Sequence, residues 1–460
     1  MHRPWLALAV ASTLALVPAA QAAAPDPLAD EATAKLQALL RIDTTNPPGN
    51  EAEAANMVAG WLRAEGIEAR VYTSAPGRAN VVARLKGRGD RKPLLLLNHL
   101  DVVTAEPEGW KHPPFSGAIV DGVLWGRGAL DMKGLGVMEL MAFLSLHRKK
   151  VPLARDVIFC ATADEEAGGD WGARWMLEHH PEEVDASELL NEGGAGLSMP
   201  NGPVMGIQTA ERGVMWVRVT AHGAPGHGSI LRTDGATRRL VRALSRLEAA
   251  PPHLELIPET RAMLKALAES ETGVRSWALH GLSQPWLLPL IGPKAIATDT
   301  NLAGMLGSTW NTTVLSAGNK VNVMPGSASA EIDMRVLPGH TADELLGWLK
   351  TTLADDGLTY EVIHGRNPTV TPAGGPLYAA LEKAIAAEYP GIKTVPVLTP
   401  GGGTDSAAFR DRGVAAFGCM PIVMPTAQLS SMHGHNEYIT LDQIARGTRV
   451  VTAAVEAASR

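Results

Sequence analysis

Apolar residues along this chain fall into short runs separated by turn formers, and the first run stands apart from the rest. Residues 6–17 are almost unbroken in apolar character, follow a basic start at His2 and Arg3, and precede Ala20-Gln21-Ala22, a small-x-small sequence. That order is the signature of a secretory signal peptide, so residues 1–22 are expected to be removed on export. The run is shorter than the ~20 residues that a membrane span needs, and no cysteine lies near the cleavage site to carry a lipid. The mature chain is therefore expected to be periplasmic or secreted, without a stable membrane anchor.

Beyond the leader, helical spacing predicts helices over 30–40 and 51–65, the second ended by Gly66. Strand-like runs follow at 69–72, 80–85 and 94–97. The last, four leucines without polar alternation, reads as a strand buried on both faces. A helix over 131–146 and another buried strand over 156–161 continue an alternation that favours a mainly parallel α/β sheet. Near residue 212 the pattern changes. A half-buried strand at 214–220, a helix at 237–247, strands at 312–316 and 328–336, a helix at 342–353 and a strand at 360–363 give the order βαββαβ, a ferredoxin-like unit. A Pro-rich apolar stretch, 251–310, with Trp277, Trp286 and Trp310, interrupts it and reads as an elaboration with the character of a lid. α/β character returns with a helix at 377–388, a loop at 399–405, a strand at 414–418 and a closing helix from Leu441. Residues 25–211 and 367–460 thus read as two parts of one domain around an inserted 212–366.

Composition narrows the function classes. The 460 residues carry 41 Lys and Arg against 48 Asp and Glu, a net charge of −7, with no basic block; a nucleic-acid partner is not expected. Two cysteines, Cys160 and Cys419, exclude a disulfide scaffold and a cysteine-based zinc knuckle. Both stand in apolar strand-like segments and read as buried thiols.

Chemistry-bearing residues gather where strands should end. The leucine run leads into Asn98-His99-Leu100-Asp101, and residues two apart on a strand share a face, so His99 and Asp101 can point together beyond its carboxyl end. Asp131 follows Gly126-Arg127-Gly128-Ala129-Leu130 and opens a helix, a position that an N-cap would also explain. Glu165 and Glu166 follow the strand at 156–161, where adjacent side chains diverge and can serve different ends. Glu192, in Asn191-Glu192-Gly193-Gly194, ends the Leu189-Leu190 segment in what reads as a Gly-rich turn. Downstream, Ser431-Met432-His433-Gly434-His435-Asn436-Glu437 adds two histidines. His99, Asp131, Glu166, Glu192 and one of them supply the nitrogen and oxygen donors of two zinc ions; spacing leaves His433 and His435 open. Calcium, which prefers all-oxygen shells, fits poorly.

In order and spacing these segments resemble the co-catalytic zinc peptidases of the M20 family, which includes glutamate carboxypeptidase, aminoacylase-1 and carboxypeptidase S. The resemblance implies a phosphorylase/hydrolase-like zinc-peptidase catalytic domain with a mainly parallel central sheet, plus an inserted ferredoxin-like dimerisation domain. It implies two Zn2+ per chain, with Co2+ or Mn2+ as substitutes. Asp131 would bridge them, His99 and Glu192 completing one and Glu166 and His433 the other; His433 is chosen because the family pattern places Glu four residues later, here Glu437. Asp101 would orient His99 and Glu165 would be the general base. His227, in Gly226-His227-Gly228-Ser229, resembles the histidine that reaches into a neighbouring subunit's site, implying a homodimer. Arg335 resembles the arginine that pairs with a substrate carboxylate, and Asn311, Gly402 and Thr404 match substrate-contact positions. The stretch 101–134 looks closest to the carboxypeptidase S and N-acyl-amino-acid hydrolase branch. The expected reaction is hydrolysis of a peptide or N-acyl amide bond beside a free carboxylate. The rivals are a dipeptidase or aminopeptidase of the same family and, from another class, a peptide-binding protein with a vestigial site.

Overall fold

The leucine run is the middle of the molecule. In the computed structural model, which describes residues 26–460 and so leaves the expected signal peptide outside them, the strand Leu94–His99 is buried throughout. It pairs in parallel with Val157–Thr162 on one side and Glu188–Leu197 on the other. Side-chain alternation splits the run between two cores. Leu94 and Leu96 join the larger cluster with Leu36, Val58, Phe143 and Val451, whereas Leu95 and Leu97 face Ile158, Met176 and Phe409. A strand covered on both faces needs no polar positions, which is why its first four residues show none.

The full sheet has nine strands in the order Ala69–Ala75, Arg78–Leu85, Val157–Thr162, Leu94–His99, Glu188–Leu197, Ala415–Met424, Val204–Glu211 and Thr369–Val370, with Lys393–Thr399 also paired to Val204–Glu211. Both ladders of Leu94–His99 are parallel, as are Ala415–Met424 on Glu188–Leu197 and Lys393–Thr399 on Val204–Glu211, whereas Val204–Glu211 runs antiparallel to Glu188–Leu197 and Ala415–Met424. Antiparallel pairs complete it on both sides. Among the described residues no helix is long and apolar enough to cross a membrane.

Residues 213–366 form a separate antiparallel sheet in the order Gly307–Ala317, Ser327–Val336, Gly213–His222, Leu358–Arg366, to which His253–Leu254 adds a short edge. The helices Ala236–Glu248 and Ala342–Leu353 close a core of Val217, Val219, Leu240, Ile332 and Leu349. The connection between the first helix and the second strand contains four helices around Leu264, Leu282, Leu288 and Leu306. The first of them, Pro258–Ser270, packs on Lys393–Thr399 at the outer side of the large sheet, where Lys393 Nζ lies 2.8 Å from Glu269 Oε2.

Two local expectations differ. The helix expected at 131–146 runs from Lys133 to Arg148 and leaves Asp131 ahead of it. Asn191-Glu192-Gly193-Gly194 is not a turn but the middle of the strand Glu188–Leu197. Its glycines serve close strand passage: a Cβ on Gly194 would stand 2.3 Å from the Gly206 carbonyl oxygen, and one on Gly418 would stand 1.8 Å from that of Glu192. Gly193, at φ +121, and a register shift after Gly418 kink the strand at Glu192.

Candidate metal centre

Asp131 occupies the middle of the cluster, and a second acid holds it there. The buried Glu437 carboxylate accepts hydrogen bonds from the N–H groups of Gly128 (3.1 Å), Leu130 (2.7 Å) and Asp131 (3.1 Å), and from Arg127 Nη1 at 2.7 Å. A loop that would otherwise leave orphaned donors is thereby fixed, with Gly128 taking the positive φ of 89° that the bend requires.

The two oxygens of Asp131 face different partners. Oδ1 lies 3.3 Å from His99 Nε2, which is itself 3.7 Å from Glu192 Oε1. Oδ2 lies 2.9 Å from His433 Nε2, which is 3.5 Å from Glu166 Oε2. The donor atoms of His99, Glu165 and Glu192 lie within 4.8 Å of one another, as do those of His99, Asp131 and Glu166. His433, not His435, stands beside Asp131; the His435 ring turns toward Trp110, with ring centroids 6.5 Å apart.

Asp101 does more than the sequence indicates. The closest contact of His99 Nδ1 is the Asp101 backbone oxygen at 3.0 Å, with the carboxylate Oδ1 at 3.4 Å. The carboxylate accepts the N–H groups of Glu165 and Glu166, each at 3.1 Å, so it ties the end of one strand to the turn after its neighbour. Behind it runs a buried network that sequence reading missed. Asn46 Nδ2 donates to Asp101 and Asp164 (2.9 and 3.0 Å), and Arg78 donates to Asp164, Glu51 and Asn46 (2.9, 2.9 and 2.8 Å). The only signals for these residues were the turn-rich context of Asn46 and the adjacency of Asp164 to Glu165.

Acids outnumber bases here, and their proton affinities show it. Burial pushes the Glu192 carboxyl up to about 8, reinforced by the charge of Asp131. Burial, then the charge of Glu192, raises Glu165 well above the carboxylate range. Burial opposes ionisation of Asp131, but the hydrogen bonds from His433 and His99 outweigh it and hold that carboxyl far down. The Asp131 and Glu166 contacts lift His433 to about 10. Glu166 Oε1 is buried with no hydrogen-bond partner. A surplus of buried carboxylates with an unpartnered oxygen is the environment that divalent cations satisfy.

Comparison with known proteins gives the family. Residues 95–457 match the family model described as peptidase family M20/M25/M40. The chain belongs to the M20 peptidase family. The human N-fatty-acyl-amino acid synthase/hydrolase PM20D1 is 30% identical over 359 residues, 76% of this chain and 71% of that protein. Aminoacylase-1 of Mus musculus is 28% identical over 430 residues, covering 91% and 93% of the two chains. The crystal structure of the M20 family metallo-carboxypeptidase Sso-CP2 from Sulfolobus solfataricus superposes with a TM-score of 0.71 at 21% identity, over 94% of this chain and 99% of that one. The protein is therefore an M20-type hydrolase with a mixed α/β fold, and it brings together acids and histidines that can hold metal.

Beside the Asp131 cluster opens a cavity of about 430 Å³. Glu165, Glu166 and Asp405 form part of its wall, and Arg335, Arg366, Trp216, His364, Gly403 and Thr404 another. Arg335 is gripped by Asp333 through two contacts of 2.8 and 3.0 Å and reaches the Gly401 carbonyl with Nη1 at 3.4 Å. Thr404 Oγ1 donates to Glu211 at 2.6 Å. The other expected substrate positions do not line this space. Asn311 is exposed on the strand Gly307–Ala317, Gly402 borders open space, and Gly403 is where the loop passes closely, against Arg366. His227 is exposed on a two-stranded ribbon, its Nδ1 2.8 Å from Ser229 Oγ. Asp405 belongs to the loop at 401–406 that was matched to substrate contact, whereas His364 was not singled out from sequence. Burial raises Asp405 to about 7, and burial followed by the charges of Arg174, Arg366 and Arg335 lowers His364.

Proposed function

We propose that this M20 hydrolase is an exported amidohydrolase that uses two zinc ions to cleave a peptide or N-acyl amide bond beside a free carboxylate. The observation that carries the reading is the division of Asp131: one oxygen toward His99 and Glu192, the other toward His433 and Glu166. Two incomplete donor sets that share one carboxylate match two ions with a common bridge, and nitrogen-plus-oxygen donors suit zinc, with Co2+ or Mn2+ as substitutes. When bound, such ions polarise an amide carbonyl and lower the pKa of water.

The remaining work falls to the chain. Glu165 stands on the cavity wall and within the donor cluster, placed to take a proton from attacking water and deliver it to the leaving nitrogen. Asp101 fixes that base by accepting its backbone N–H. Arg335, held flat by Asp333, offers a planar cation to the substrate carboxylate across the same cavity. His227 is exposed and does not line this cavity in the single chain, which fits service to a second subunit. Exposed Ile230, Leu231, Val241, Leu315 and Val321 around the ribbon supply apolar surface for a homodimer. The run at 6–17 supports export.

A panel of N-acyl-amino acids and free dipeptides, assayed with the zinc-loaded enzyme, tests the substrate class. Turnover of N-acyl-amino acids or C-terminal residues, lost when the carboxylate is amidated, is expected. Activity confined to dipeptides with a free amino group would overturn the reading.

A further inference from the structure

A second group of metal-ligating side chains lies in the inserted unit and shares no residue with the Asp131 cluster. The donor atoms of His253, Glu255 and His340 all lie within 4.8 Å of one another. We propose that these three residues form a second site for a divalent transition metal of the zinc type, with Glu344 orienting one histidine.

The backbone presents the three side chains from rigid positions. His253 and Glu255 stand two apart on an extended segment and so share a face. That segment is locked to its neighbour: His253 pairs with Ser308, Leu254 with Gly307, and Glu255 N–H donates to Leu306 O at 2.8 Å. Only glycine permits this approach, since a Cβ on Gly307 would stand 1.9 Å from the His253 oxygen. Ser308 also receives the other ligand-bearing segment, accepting the Leu337 N–H on its Oγ at 3.0 Å, and the turn is completed by His340 N–H to Leu337 O at 3.2 Å. One residue thus fixes both strands of the site, the preorganisation that a metal site requires.

The chemistry of the donors points the same way. His340 turns Nε2 toward Glu255 Oε2 at 2.6 Å, and its Nδ1 faces Glu344 Oε2 at 3.8 Å. The Glu344 carboxylate is itself placed by the Thr341 N–H, which donates to it at 2.8 Å in the capping box of the helix Ala342–Leu353. A carboxylate on the nitrogen away from the metal fixes the tautomer of a histidine ligand. The His253 and His340 rings stand edge to face, their centroids 5.4 Å apart. Two imidazoles and one carboxylate suit Zn2+ and exclude the all-oxygen preference of Ca2+ and Mg2+; a water completes the tetrahedron. Trp310, Trp348 and Leu345 wall a small cavity of about 90 Å³ below the histidines, giving the site an apolar side.

An ion here would pin the start of the four-helix elaboration to the loop that follows Ser327–Val336. Its effect is on stability, since none of these side chains lines the cavity beside the Asp131 cluster.

The test starts from enzyme whose catalytic sites are already loaded with zinc. Equilibrium dialysis at micromolar free Zn2+ with elemental analysis should find about one ion per chain fewer in His253→Ala/His340→Ala than in the wild type. Added Zn2+ should raise the Tm of the wild type but not that of the double variant or of Glu255→Gln, and Ca2+ should raise none of them. Turnover should be the same in all three proteins, which also reports that the variants are folded. Equal zinc content and an equal Zn2+-dependent rise in Tm in wild type and variants would overturn the proposal.

Discussion

Glu139 lies fully buried on the helix Lys133–Arg148, one carboxylate oxygen taking the Asn98 Nδ2 donor at 3.0 Å and the other without a partner. Burial raises its carboxyl well above the ordinary 4.5, the charge of Glu192 adds to this, and the Asn98 hydrogen bond only partly opposes it. A carboxyl whose folded value is raised contributes stability in full below the unfolded value, and that contribution fades as pH climbs through the folded value. Glu139→Gln, which keeps the shape of the neutral acid, should therefore be more stable than the wild type at neutral and alkaline pH. The difference should shrink toward about pH 4.5, with a slope approaching about 1.4 kcal/mol per pH unit. A pH-independent difference in chemical denaturation would contradict the assignment. Glu165→Gln addresses the chemistry: metal content should be retained while kcat falls roughly 10²–10⁴-fold. Near-normal turnover would remove Glu165 as the base. Both acids stand in the sequence beside recognisable segments, but only Glu165 was legible there. The meaning of Glu139 depends on what the fold packs around a helix that is buried along nearly its whole length.

At the level of elements, the loop carrying Asp131 is shaped by a residue three hundred positions away. Replacing Glu437 by Ala leaves the buried Arg127 guanidinium without its carboxylate and strips the acceptors from Gly128, Leu130 and Asp131. Breaking such a buried pair costs about 3–5 kcal/mol. Denaturation should show a loss of that order together with weakened metal retention; a loss below about 1 kcal/mol with metal affinity intact would show that the loop holds itself. The strands most legible in the sequence are those buried on both faces, because an apolar run of four to six residues between turn formers is too short for a helix and fits a strand covered from both sides. Glu192 was misplaced into a turn for a physical reason: Gly193 and Gly194 look like turn formers locally, yet they serve strand crossing, a property of the Ala415–Met424 and Val204–Glu211 neighbours rather than of the segment itself. The Asn46, Arg78 and Asp164 network stayed hidden because no local pattern marks residues that meet only through tertiary packing.

For the whole molecule, the change of hydropathic pattern near residue 212 and its return after 366 coincide with the passage from the large mixed sheet to the antiparallel one and back. Asn311 and His227 were expected at the substrate, and the single chain keeps both outside the cavity lining. Mixing His227→Ala chains with Glu165→Gln chains should restore part of the activity that each lacks if the histidine serves its neighbour, and no rescue in verified heterodimers would reject that arrangement. The central claim is that Asp131 divides its oxygens between two cations. It is tested most directly by anomalous diffraction at the zinc absorption edge on crystals of the zinc-loaded enzyme. Two peaks flanking Asp131, one against His99 and Glu192 and the other against His433 and Glu166, are expected; a single peak, or none within coordination distance of Asp131, would contradict the account.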